Sequence, residues 1–244
     1  MRKGDSVNHT HIVRIPILPM HMLNAHLIIG PDGCLLMDSG IPGSENKIAA
    51  ALSKVNRGWK DIKLIISTHA HMDHAGSTAM IRELSDAPIV AHQDDAMYYN
   101  QEEQMTYCPT GIAGRYLLKR GIALRPYVGF IPDKLISNDQ SFDLHPYGVP
   151  GKIRHTPGHT AGSLSVELDS SEALVGDLVA SGILMGGICR KNRPIRPPFE
   201  DNPQQVAYEL QQMVDAGYET FYLGHGWPLG RDAVLQHIQK LRRL

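Results

Sequence analysis

Cysteine is scarce in this chain: Cys34, Cys108 and Cys189 lie far apart, with no Cys-x-x-Cys pair. That argues against a disulfide-stapled scaffold. Long apolar runs are missing too, and no stretch approaches the roughly 20 residues that a membrane-spanning helix needs. Residues Met1 to Ser6 carry charge with no apolar core behind it, so no secretory leader is read there and a cytoplasmic protein is expected. Neither sign of charge is in excess. The formal net charge of -1 leaves no global electrostatic case for nucleic acid or an anionic membrane as partner. Repeats, low-complexity tracts and composition shifts are likewise absent, and 244 residues can bury a large core, so one domain spanning 1–244 is expected.

What the chain does have is histidine, gathered where it counts. The stretch Ile65-Ile66-Ser67-Thr68-His69-Ala70-His71-Met72-Asp73-His74-Ala75-Gly76-Ser77 places three histidines and an aspartate within six residues. Leu64, Ile65 and Ile66 read as a short strand buried on both faces, so the histidines stand at a strand's mouth. In extended chain His69, His71 and Asp73 would share one side. His74 breaks that parity, and a helix from Ser77 to Leu84 would turn it and Asp73 back beside the first pair. Chance alone would produce this pattern in a chain of such composition about two times in a thousand, so it is read as a site for zinc or a first-row neighbour such as iron or manganese.

The rest of the chain repeats the arrangement. Strands are expected at 11–18 and 25–29, followed by a hairpin turn at Gly30-Pro31-Asp32-Gly33 and a strand ending at Asp38. Ser44 begins an amphipathic helix that reaches about Val55. Ala87 to Ala91 is a strand ending at His92. A partly helical excursion at about 93–150, with aromatics that include Tyr98 and Tyr99, is expected to line a substrate pocket. Later strands end at His155, before the Pro157-Gly158-His159 loop, and at Asp177 and Gly224-His225. A basic loop from Cys189 to Arg196, with Arg190, Lys191 and Arg193, is available for an anionic group of a substrate. Helices are expected from Asn202-Pro203 onward and over Ala233 to Leu241.

His69, His71, Asp73, His74, His159, Asp177 and His225, each at a strand end, make the chain resemble the metallo-β-lactamase superfamily over nearly its whole length. The resemblance implies an α/β fold, a four-layer αβ/βα sandwich of two mixed β-sheets flanked by helices. It implies one Zn2+ held by His69, His71 and His159, a second by Asp73, His74 and His225, and Asp177 bridging. Asp38 and His92 are expected to support these ligands from behind, and Tyr98, Tyr99, Arg190 and Arg193 to meet the substrate. Paired ions sharing a water would make a nucleophile near neutral pH, with Asp73 accepting its hydrogen bond.

Departures from individual branches narrow the substrate. Zinc β-lactamases generally lack an acidic residue at the position of Asp177. Flavodiiron proteins carry Glu at that of His71, and lactonases place a tyrosine where Leu178 to Ser181 follow here. The expectation is a metal-dependent hydrolase of a small acyl compound, a lactone, ester or thioester. A β-lactam hydrolase and a mononuclear iron persulfide dioxygenase are the alternatives, and a homodimer stays open.

Overall fold

The computed structural model describes residues 10–137, 140–183 and 189–244. The chain opens with the antiparallel strands β1 (His11–Leu18), β2 (Leu23–Gly30) and β3 (Gly33–Met37), the last two joined through Pro31 and Asp32. Helix α1 (Glu45–Lys54) follows and buries Ile48, Ala51 and Leu52, one stripe at helical spacing. Strand β4 (Ile62–Ile66) leads to the single-turn helix α2 (Met72–Ala75) and to α3 (Thr78–Ser85). Then come β5 (Ile89–His92), α4 (Ala96–Tyr99), α5 (Ile112–Lys119) and β6 (Lys134–Ile136). Strands β1 to β6 form the first sheet in sequence order, antiparallel as far as β3 and parallel beyond it.

The second half builds a second mixed sheet. It contains β7 (Phe142–Asp143), β8 (Gly151–His155), β9 (Leu164–Leu168) and β10 (Glu172–Leu174). The two-residue strands β11 (Ala180–Ser181) and β12 (Pro194–Ile195) pair apart from it. Helix α6 (Pro203–Asp215) starts where the Asn202 side chain accepts from the Gln205 amide, with Pro203 in its first turn. Strands β13 (Thr220–Tyr222) and β14 (Leu229–Gly230) and helix α7 (Arg231–Leu241) complete the fold, and the sheet order is β14-β13-β10-β9-β8-β7.

Three apolar layers separate these elements. Alternation along each strand sends one face to each layer. Leu35 and Met37 of β3 and Leu64 and Ile66 of β4 meet Ile153, Val166 and Leu174 between the sheets. Leu36 and Ile65 face the other way, against Ile48 and Leu52 of α1 and Ile81 of α3. Ala173 and Phe221 pack outward on Val206, Leu210, Val234 and Ile238 of α6 and α7. The result is the expected four-layer αβ/βα sandwich.

Strand direction places the site. Strands β3 and β4 run parallel, and β8, β10 and β13 run parallel to one another, so the C-terminal ends of each set share an edge of their sheet. Backbone bonds then close the two edges together: the Leu164 amide donates to Thr68 O at 2.8 Å and the Asn24 amide to Gly224 O at 2.8 Å. Within the expected excursion at 93–150, β6 belongs to the first sheet and β7 to the second, so the non-sheet part is narrower than the sequence indicated.

Candidate metal centre

Each candidate ligand leaves the end of a strand. His69 and His71 follow β4, and His71 caps α2, whose single turn carries Asp73 and His74. His159 follows β8, Asp177 follows β10 and His225 follows β13. The backbone here leaves the strands, and side chains join backbone bonds in pinning it.

Asp38 supplies much of that pinning. It adopts φ 61°, a left-handed conformation that aspartate tolerates. Its Oδ1 accepts from the Thr68 amide at 2.9 Å, and its Oδ2 from the Thr68 hydroxyl at 2.9 Å and from His74 Nδ1 at 2.8 Å. With its one proton committed to Asp38, the Thr68 hydroxyl accepts from His69 Nδ1 at 2.9 Å. His225 Nδ1 donates to Met22 O. All three rings thus keep a proton at Nδ1 and turn Nε2 inward, the nitrogen left to ligate an ion.

Two groups of ligand atoms result. His69 Nε2, His71 Nδ1 and His159 Nε2 form a triangle with every side 3.1 Å. Three ring nitrogens, each with one proton or one lone pair, cannot all satisfy one another. A tetrahedral ion with bonds of about 2.0–2.1 Å would hold its ligands roughly 3.3–3.4 Å apart, so the triangle fits one closely. In the second group His225 Nε2 stands 3.4 Å from His74 Nε2 and 3.4 Å from Asp73 Oδ2. Asp177 lies between the groups, Oδ2 being 3.2 Å from His225 Nε2 and 3.7 Å from His159 Nε2. Its Oδ1 is buried 3.4 Å from His74 Nε2 without hydrogen-bond geometry, an oxygen that a cation would satisfy. Gly224 leaves room for this carboxylate, since a Cβ there would lie 2.2 Å from Asp177 Oδ1 and 2.6 Å from His74 Cε1.

The charges divide in the same way. Burial, reinforced by the neighbouring histidines, holds His69 and His71 well below the usual imidazole range, and burial brings His159 down to about 4. These three are neutral, as metal ligands must be. Burial also opposes charge on His225, but Asp177 and Asp73 outweigh it and push the ring up to about 10. Asp177, Asp38 and Asp73 likewise overcome burial at His74 and raise it well above its ordinary value. Burial would raise Asp73 and Asp177, yet His74 and His225 hold both carboxyls down. Without an ion, protons on His74 and His225 neutralise the carboxylates.

The sequence model of the metallo-beta-lactamase superfamily matches residues 20–225. The chain belongs to this superfamily. It is 31% identical over 179 residues to the probable metallo-hydrolase YqgX of Bacillus subtilis, covering 72% of this chain and 73% of that one. It is 31% identical over 156 residues to the probable metallo-hydrolase MJ0888 of Methanocaldococcus jannaschii, covering 64% of this chain and 66% of that one. Among solved structures, the metallo-beta-lactamase family protein TTHA1429 of Thermus thermophilus superimposes with a TM-score of 0.67 at 19% identity over 95% of this chain and 78% of its own. The expected superfamily and fold are borne out, and a metal-dependent hydrolase is the activity that its relatives' names support.

All seven ligands expected from the superfamily motifs come together, and Asp38 touches His74. His92 does not join them: its ring stacks on His155 at 3.7 Å and its Nδ1 accepts from the Asp94 amide. Tyr99 is not a pocket wall. It is fully buried against Phe130 in the layer between the first sheet and its helices, because its position on α4 points inward. Tyr98 lines a cavity of about 280 Å³ with Ala70, Met72, Tyr107 and Tyr127. Arg190 and Arg193 line a separate concavity with Lys191, Gln236 and Lys240, which none of the seven ligands reaches.

Sequence reasoning counted Tyr107 only among the aromatics of the excursion, and passed over the other neighbours. Tyr107 stacks on His71 at 4.6 Å, and Phe199 meets both rings edge-on. Asn24 donates to the Leu223, Gly224 and Gly226 carbonyls around His225. Asp95, pushed up to about 6 by burial against its three hydrogen bonds, reaches two ligand loops. No periodicity marks any of them, and an aspartate just past a strand end was the one signal for Asp95.

Proposed function

We propose that this chain is a dinuclear zinc-dependent hydrolase of a small acyl substrate, a lactone, ester or thioester. The observation that carries the reading is Asp177, one buried carboxylate within 3.2 Å of His225 Nε2 and 3.7 Å of His159 Nε2, joining two ligand groups into one site. His69, His71 and His159 would hold one ion and Asp73, His74 and His225 the other. Bound there, two divalent ions would supply a water acidic enough to act as nucleophile near pH 7 and a Lewis acid for the attacked oxygen.

The chain's own groups prepare that chemistry. Asp73 has the most exposed side chain of the ligands, 32%, and so faces the open side, where its carboxylate accepts a hydrogen bond from an incoming water and orients it. Asp38, Thr68 and the Met22 carbonyl keep protons on the outward ring nitrogens. Tyr107 and Phe199 exclude water from the His71 side.

Metal analysis of the native protein, with turnover assays on one lactone, one thioester, one β-lactam and one phosphodiester, tests the proposal. About two zinc ions per chain and hydrolysis of the lactone or thioester are expected. About one iron per chain with oxygen consumption on a persulfide would replace it with the dioxygenase reading. Turnover of the β-lactam alone would replace the substrate class.

A further inference from the structure

Asp95 ends the turn Gln93–Asp95 after β5 and is completely buried. Its Oδ2 accepts from the Ala70 amide at 2.9 Å and from the Thr160 hydroxyl at 3.0 Å, and its Oδ1 from the Gly162 amide at 2.9 Å. Ala70 stands between His69 and His71, and Thr160 follows His159. A single carboxylate therefore ties the ligand loop of the first sheet to that of the second. The sequence makes room for it: a Cβ at Gly162 would lie 2.6 Å from the Asp95 carboxyl carbon and 2.7 Å from its amide nitrogen. No cation pairs with Asp95 among the described residues, so its partners are these loop donors alone.

We propose that Asp95 is a positioning residue that sets the spacing of the His69, His71 and His159 nitrogens before an ion arrives. The assignment rests on the metal centre proposed above. Asp38 acts on ring nitrogens and so on which one carries a proton. Asp95 instead grips backbone and a hydroxyl, and decides where the rings stand. Loops already held in place lose less freedom when an ion binds, so the ion binds more tightly. Asparagine at this position has the same shape, but its NH2 must face at least one of the three donors.

Cobalt(II) titration of the metal-free chain, followed by visible absorption, reads this directly. Asp95→Asn should bind the first equivalent about 10- to 100-fold more weakly than wild type, with an altered absorption envelope. Thr160→Val, which deletes one donor of three, should fall between the two. Ile238→Ala, in the α7 core, should lower the melting temperature and leave cobalt affinity unchanged, which separates positioning from general destabilisation. Wild-type affinity and spectrum in Asp95→Asn overturn the assignment, whatever its melting temperature. If that variant does not fold, wild-type cobalt affinity in Thr160→Val overturns it instead. A wild-type chain that takes up no cobalt refutes the metal centre and the assignment together, whereas wild-type uptake with an indifferent Asp95→Asn refutes the assignment alone.

Discussion

Asp38→Asn should weaken both ions at once. The Asp38 carboxylate is the end of two chains: one runs directly to His74 Nδ1, and the other through the Thr68 hydroxyl to His69 Nδ1. Asparagine keeps the volume and tolerates the φ of 61°. If its oxygen stays on the Thr68 amide, its NH2 faces both the hydroxyl and His74. His74 must then move its proton to Nε2. The hydroxyl, now an acceptor, turns its own proton toward His69 Nδ1 and drives that ring to the same tautomer. Both inward nitrogens end with a proton where a lone pair is needed.

Groups that orient metal ligands are typically worth 10- to 100-fold in affinity, or roughly 1.4–2.7 kcal/mol for each ion. Removing the charge also strips a fully buried partner from the His74 cation, at a cost of about 3 kcal/mol, the lower end for a broken buried pair because Asp177 remains beside the ring. In a chain of this size that corresponds to a fall of roughly 6–12 °C in the melting temperature of the metal-free protein. Zinc competition against a chromophoric chelator and thermal melts of the metal-free protein measure the two effects. A variant that holds both ions as tightly as wild type would refute the proton relay, and one that loses only the second ion would confine it to His74.

The metal-free protein should be most stable near pH 6.5. The raised value of about 10 for His225 contributes stability that is complete below about 6.5 and is lost as pH rises toward 10. The lowered value of about 4 for His159 means that the unfolded chain takes up the proton first, so stability also falls as pH drops from 6.5 to 4. Melting temperatures from pH 5 to 9 test this, and a steady rise across the range would contradict the assigned charges. Gly224→Ala should abolish tight zinc binding, because its Cβ would stand 2.2 Å from Asp177 Oδ1. Equilibrium dialysis checks it, and normal zinc content in the variant would show that the loop yields without moving the carboxylate.

The sequence alone determined most of the strands that carry the candidate site and singled out the seven side chains that gather there. Buried strands such as Leu64 to Ile66 announce themselves as apolar runs, and ligands at strand ends stand out because a histidine or aspartate there interrupts that pattern. The superfamily motifs then supplied the pairing of residues as distant as His69 and His225. Only the tertiary structure decided what lies behind and beside them. Asp95 and Asn24 act through bonds to backbone groups that come near only when two sheet edges close together, and no local periodicity records such a meeting. The same reason removes Tyr99 from the pocket and turns His92 onto His155: which way the last residue of so short a helix or strand faces is set by what packs against it.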